Sequence, residues 1–238
     1  MGLLALFVLL YIVISIGIGL FAAMRVHNST DYVLAGRSLP IYVTIATVFA
    51  TWFGSEAVLG IPATFIEEGL HGIVADPFGA GLCLVFVGLF FAARLYKMKL
   101  MTIGDFYRQR YSRTVEVLVS IAICISYLGW VSAQIVALGL VINIVTQDAI
   151  PFELAMVLGV VAVMAYTVVG GMWAVAITDF FQMIIILGGL FAVAWVVASR
   201  FDGGAAEIIT HAANNEKFVF WPEFNLAAIL SFVGAFIT

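Results

Sequence analysis

The chain has 238 residues, 64% of them hydrophobic and only 10% charged, with 14 acidic against 10 basic side chains. Soluble domains carry about 25% charged residues, so this composition excludes a soluble enzyme or a nucleic-acid-binding module and leaves a polytopic, all-α transmembrane protein. Mean hydropathy is +1.18. The net charge of −4 says little about partners, because in a lipid bilayer the placement of charge carries the information.

Apolar runs of about 20 residues, each long enough to cross a bilayer, recur along the chain. The first, 2–24, begins apolar at once and has Arg25 only behind it. A signal peptide needs a basic start and a shorter core, so a retained helix is expected. The second, 40–66, contains ATWFGSEAVLGIP at 50–62. Further runs cover 76–96, 114–145, 152–169 and 174–199, and another begins near 225. Cys83 and Cys124 fall inside apolar runs, where a free thiol behaves as a small hydrophobe. With the N-terminus outside, eight basic residues (Arg25, Arg37, Arg94, Lys97, Lys99, Arg108, Arg110 and Arg113) lie in inner loops and only Arg200 and Lys217 lie outside. That asymmetry predicts an outside N-terminus in the cytoplasmic membrane. Six of the eight crowd into 94–114, which reads as an orienting cytoplasmic loop.

Charged groups at bilayer depth cost about 2.5 to 3.5 kcal/mol each on insertion scales, so each needs a reason. Glu56 and Asp179 lie well inside apolar runs, whereas Asp76, Glu116 and Glu153 lie near run ends, within reach of water or headgroups. Around Glu56, Gly54, Gly60 and Pro62 all weaken a helix: glycine costs about 1 kcal/mol relative to alanine, and proline removes a donor and clashes with the preceding turn. The grouping predicts a break near the membrane midplane. Unwound backbone there is tolerated only inside protein or beside a watery cavity, and the carbonyls it frees suit a hard cation such as sodium. A glycine-kinked packing helix is the alternative, since small residues also let helices approach closely.

Tyr127, Trp130 and Gln134 fall at i, i+3 and i+7, on one helical face. That face either lines a solute path or packs with one interhelical hydrogen bond. Trp52 is a second indole for the same space, and two indoles suit a quaternary ammonium group, with cation–π attraction of about 0.5 to 2 kcal/mol per contact. Thr178, Asp179 and Gln182 form a polar spot near the start of the sixth run. It receives a cation leaving for the cell interior, or else is an interfacial cap.

At these residues the chain resembles the sodium/solute symporter family. The matching stretches are LAGRSLP at 34–40, ATWFGSEAVLGIP at 50–62, TIGDFYRQRYS at 102–112 and GGMWAVAITDFFQ at 170–182. The resemblance implies an inverted five-helix-repeat transporter fold preceded by one extra helix. The extra helix is 2–24, the first repeat 40–199, an outer loop 200–224, and the second repeat starts at 225–238. It implies sodium held by the backbone carbonyls of Ala50 and Phe53, with Asp179 linked to sodium binding or release. Trp52, Glu56 and Ala57 match positions that face a small organic solute in various members. ATWFG and Trp130 are most similar to the choline transporters, which hold trimethylammonium between indoles. Ala80 stands where those proteins use a Tyr, and Glu56 replaces a small residue.

The last run has 14 residues from Asn225, which at about 1.5 Å rise span roughly 21 Å against a hydrocarbon core of about 30 Å. The expectation is an N-terminal part of a transporter whose remaining C-terminal helices would complete the cavity. Two other functions fit the same residues: the symporter-like membrane module of a two-component kinase, and a truncated remnant that does not transport. An intramembrane enzyme fits least, because no nucleophile–base pair or metal-ligand cluster stands at bilayer depth.

Overall fold

The computed structural model describes residues 2–211 and 216–237. It is helical throughout, with no strand among the described residues. The helices are α1 Leu3–Ala23, α2 Ser29–Leu34, α3 Ile41–Trp52, α4 Ile61–Glu68, α5 Val74–Lys97, α6 Ile103–Arg110, α7 Arg113–Val145, α8 Phe152–Ala198, α9 Gly204–Thr210 and α10 Leu226–Ile237. Among the described residues, α1, α5, α7 and α8 are each long and apolar enough to cross a membrane. A fifth span is added if Ser29–Arg37 and Ile41–Trp52, bent by 108°, are taken together. Large apolar side chains point outward along these helices, Phe191 and Trp195 being 75% and 78% exposed. Water would reject such a surface and lipid accepts it.

Every expected run has a helix, and the two interruptions come where glycine stands. The 47 residues of α8 would measure about 70 Å as a straight helix, more than twice the hydrocarbon core. At Gly171 the backbone leaves helical geometry, with φ 49° and ψ −140°, so the two runs 152–169 and 174–199 meet at a corner. In the second run, α3 ends at Trp52, a π-helical turn covers Glu56–Gly60, and α4 continues with Pro62 in its first turn. Proline fits there because the first helical N–H groups have no intrahelical acceptor. The helix over the run at 76–96 has an irregular first turn: Asp76 is extended (φ −135°, ψ 119°) and Pro77 follows it.

The chain packs as two compact units, Met1–Ser55 with Leu100–Ile185, and Glu56–Lys99 with Ile186–Thr238. In the first, α1 and α8 are held together by Ala22, Tyr166 and Ala174. Small residues make this possible: a Cβ on Gly19 would sit 2.6 Å from Tyr166, and one on Gly170 would sit 2.9 Å from the Ala23 side chain. Arg25 lies over the Trp173 ring at 5.0 Å, and Tyr42 of α3 meets Phe180 edge-on at 5.6 Å. The loop expected to orient the chain is itself built. Arg37 Nη2 donates to the Leu100 carbonyl at 2.7 Å, and Arg108 pairs with Glu116 at 3.7 Å. Thr102 and Asp105 form a reciprocal capping box at the start of α6. Its hydrogen bonds, first that from the Thr102 backbone N–H, hold the exposed Asp105 carboxyl below the usual carboxylate range.

In the second unit the segment leading into α10 is held by hydrogen bonds at Lys217 and by ring contacts of Phe218 with Phe65 and of Phe220 with Phe78. Lys217 Nζ donates to the Glu67 carbonyl at 2.6 Å, and Leu70 N–H donates to the Lys217 carbonyl at 2.8 Å. Phe220, Trp221, Phe232 and Phe236 then cluster beside α10. Asn225 caps α10 by accepting from Ala228 N–H at 2.8 Å. Thr238, at the end of the expected last run, lies outside the described residues.

Candidate functional site

The interruption begins with a tight turn. Phe53 has φ −79° and ψ 64°, the geometry of an inverse γ-turn, and Gly54 N–H accordingly bonds the Trp52 carbonyl at 2.8 Å. In an unbroken helix that N–H would serve Ala50, four residues back. The next donor is diverted as well: Ser55 N–H, which would serve Thr51, donates instead to Gln134 Oε1 at 2.9 Å. The carbonyls of Ala50 and Thr51 therefore lose their helical donors. The ψ of Phe53 also swings its own carbonyl off the helical direction. The expected break is present, and it leaves oxygen donors near Ala50 and Phe53, a chemistry that fits a hard cation such as sodium.

Thr51 was not among the expected donors, although the reason is local and simple: freeing Ser55 N–H frees Thr51 as surely as freeing Gly54 N–H frees Ala50. The side chains upstream keep to the helix. Thr47 Oγ1 donates to the Val43 carbonyl at 3.0 Å and Thr51 Oγ1 to the Thr47 carbonyl at 2.8 Å.

Of the residues proposed to face a solute, Trp52 ends α3 half-buried, and Glu56 and Ala57 open the π-helical turn, Glu56 exposed and Ala57 half-buried. On α7, Tyr127 and Trp130 meet edge-on at 6.2 Å and are 59% and 41% exposed, so neither ring is consumed by packing. Gln134, one turn further on, is half-buried, and its amide lies against Gly54. The structure thus joins Gln134 to the break through a backbone amide.

Asp179 has its neighbours elsewhere. Its carboxylate lies within electrostatic range of the phenols of Tyr11 on α1 and Tyr166 on the first arm of α8. Thr178 beside it is buried and turns its hydroxyl back to the Ala174 and Val175 carbonyls, both at 2.9 Å. Tyr11, Ser15, Thr178 and Gln182 line a cavity of about 230 Å³ between α1 and α8. The two phenols were not foreseen. Tyr11 sits in a run that reads as uniformly apolar, and Tyr166 is remote from Asp179 in sequence, so only the packing reveals the cluster.

With this geometry in view, comparison with known proteins is informative. A family model for the sodium:solute symporter family matches residues 32–232. The human high affinity choline transporter 1 is 28% identical over 198 residues, covering 79% of this chain and 33% of that protein. The high-affinity proline transporter PutP of Bacillus subtilis (strain 168) is 33% identical over 215 residues, covering 85% of this chain and 44% of PutP. Drosophila melanogaster high-affinity choline transporter 1 is 29% identical over 187 residues, 77% of this chain and 30% of the relative. The chain thus spans less than half the length of these curated relatives. A solved structure of a Na+-coupled sialic acid symporter in its substrate-bound outward-open state superposes with a TM-score of 0.85 at 23% identity, over 99% of this chain and 50% of that one. The fold is therefore that of a symporter's membrane helices, and members of the matched family are transporters, not enzymes. This protein belongs to the sodium:solute symporter family.

Proposed function

We propose that the chain is part of a sodium-coupled symporter that moves a small organic solute across the cytoplasmic membrane, with its N-terminus outside. The observation that carries this reading is the interruption at Phe53–Ser55, where two backbone N–H groups turn away from Ala50 and Thr51 inside an apolar segment. Freed carbonyls at membrane depth cost several kcal/mol each unless they are satisfied, and a sodium ion satisfies them while gaining oxygen ligands in place of water.

In this reading the carbonyls of Ala50 and Phe53 hold sodium, and Asp179 lies on the route by which the ion binds or leaves. Trp52, Tyr127, Trp130 and Gln134 face the solute, and Glu56 and Ala57 are the next residues of the same segment to test. Residues 40–199 form a first five-helix repeat and 225–238 open the second. The names of the relatives, which include choline and proline transporters, support a small organic solute. For a cationic solute the indoles supply cation–π attraction, about 0.5 to 2 kcal/mol per contact.

The experiment is uptake of labelled choline and of labelled proline into vesicles carrying the protein, with sodium or potassium outside, for the wild type and Asp179→Asn. Sodium should stimulate uptake of one solute, and the variant should lose most of that stimulation. Uptake equal in sodium and potassium would remove the ion from the function, and sodium stimulation unchanged in Asp179→Asn would remove that carboxylate from the route.

A further inference from the structure

A helix interruption has to be held open by something, because the N–H groups of Gly54 and Ser55 lie only one turn from the carbonyls they would normally serve. The turn at Phe53 is local and weak by itself. The bond that cannot come from the segment itself is Ser55 N–H to Gln134 Oε1, 2.9 Å long and joining residues 79 apart in sequence. We propose that Gln134 is the positioning residue of the ion site: its amide oxygen takes the N–H that would re-form the helix, and so keeps the Thr51 and Ala50 carbonyls available. This rests on the reading of the broken segment as the sodium site.

Gly54 belongs to the same device. A Cβ built there would sit 2.9 Å from Gln134 Oε1 and 3.1 Å from Nε2, so the amide reaches Ser55 only because residue 54 has no side chain. The obstacle is the far end of a flexible side chain rather than fixed backbone. A methyl group at 54 would therefore push the amide off Ser55 without disrupting the fold. Nor is the contact a by-product of general packing: Gln134 is half-buried on a helix whose neighbouring rings, Tyr127 and Trp130, remain largely exposed.

The role differs from that of a solute ligand. A solute-binding amide would be felt only in the presence of solute, whereas a positioning amide acts on backbone and sodium with no solute present. Glutamate at 134 keeps an acceptor oxygen at the same place, and leucine of similar size does not.

The sequence supplies a clean probe. Gly54–Ser55 is the only Gly–Ser pair in the chain, so protein labelled with 1-13C-glycine and 15N-serine shows one directly bonded carbon–nitrogen correlation, that of the Ser55 amide. In the full chain in lipid nanodiscs, without solute, this resonance should shift in Gln134→Leu and should stay close to its wild-type position in Gln134→Glu. In sodium titrations Gly54→Ala should add little to the loss of affinity already produced by Gln134→Leu, because the two act on one contact. A Ser55 resonance unmoved by Gln134→Leu, or moved as far by Gln134→Glu, overturns the proposal. Sodium titration of the same samples against potassium is the second readout: half-saturation should rise roughly two- to tenfold in Gln134→Leu and recover in Gln134→Glu. Absence of sodium binding in the wild type would sink the ion reading alone, and the Ser55 resonance would still decide the role of Gln134.

Discussion

Gly171 combines a positive φ with a close backbone neighbour, and the same substitution elsewhere in its helix provides the control. Its φ of 49° and ψ of −140° lie in a region that L side chains rarely enter, and a Cβ there would stand 2.4 Å from the Tyr32 carbonyl oxygen and 2.7 Å from the Tyr32 ring. Backbone strain of this kind costs about 1 to 3 kcal/mol. The clash falls on a backbone oxygen, which cannot swing aside as a side chain can. Gly171→Ala should therefore destabilise by about 2 to 4 kcal/mol, within the range of the larger single-mutant effects, or roughly 30- to 700-fold in the unfolding equilibrium at about 1.4 kcal/mol per tenfold. Gly188, further along the same helix, has nothing within 4 Å of a would-be Cβ. There alanine removes only the entropy cost of a helical glycine, so Gly188→Ala should stabilise by about 0.5 to 1 kcal/mol. Equilibrium unfolding in mixed micelles, titrated with a denaturing detergent and followed by circular dichroism, measures both. Equal changes of one sign, or a Gly171→Ala variant within about 0.5 kcal/mol of wild type, would refute the corner as a glycine-only position.

Arg37→Ala should cost about 1.5 to 3 kcal/mol in the same titration, the range for a lost hydrogen bond to a charged group, because the guanidinium donates to the Leu100 carbonyl at 2.7 Å. Thr102→Ala removes the side-chain half of the α6 capping box and should cost about 1 kcal/mol. The Asp105 carboxyl is held below its ordinary value by hydrogen bonds led by the Thr102 backbone N–H. A depressed folded value stabilises above the unfolded value, near 4, and that stability is lost as pH falls through the folded value. Asp105→Asn should therefore flatten the acid limb of the stability profile below about pH 4 and leave the neutral region's slope unchanged. Lys217→Met removes the donor to the Glu67 carbonyl, so limited proteolysis should cut the 216–224 loop several-fold faster while leaving cleavage between α6 and α7 as it was.

The fold was legible wherever one residue type decides the backbone. Each apolar run became helical, the second in two pieces and the fifth and sixth joined across Gly171, because the cost of unpaired backbone in lipid leaves few alternatives. The break at 53–55 followed from Gly54, Gly60 and Pro62, and the separation of runs 152–169 and 174–199 left room for a change of direction whose residue, Gly171, only the structure identifies. The partners across space were not legible. Ser55 finds Gln134 at a separation of 79 residues, and Tyr11 and Tyr166 come within electrostatic range of Asp179 from two other helical segments. Periodicity says which face of a helix a residue occupies but not which helix that face meets. Gln134 was singled out for standing on the aromatic face of its helix, and its backbone partner could be seen only in three dimensions.

The two interruptions are built by different physics, and the difference has a consequence for motion. At Gly171 a Cβ on the observed backbone would run into the Tyr32 carbonyl oxygen and ring, so the corner depends on glycine and on close packing against α2. The break at 53–55 rests on hydrogen bonds instead. The segment is kept open by a weak local turn and by one neutral hydrogen bond to Gln134, and a bond of that kind contributes about 0.5 to 1.5 kcal/mol net. A ligand shifts a two-state equilibrium by its difference in affinity for the two states, and a tenfold difference is worth about 1.4 kcal/mol. A cation that coordinates the freed carbonyls with even that preference therefore acts on the same scale as the bond. The corner is a matter of which residue can occupy it, whereas the break is poised within reach of what binds to it.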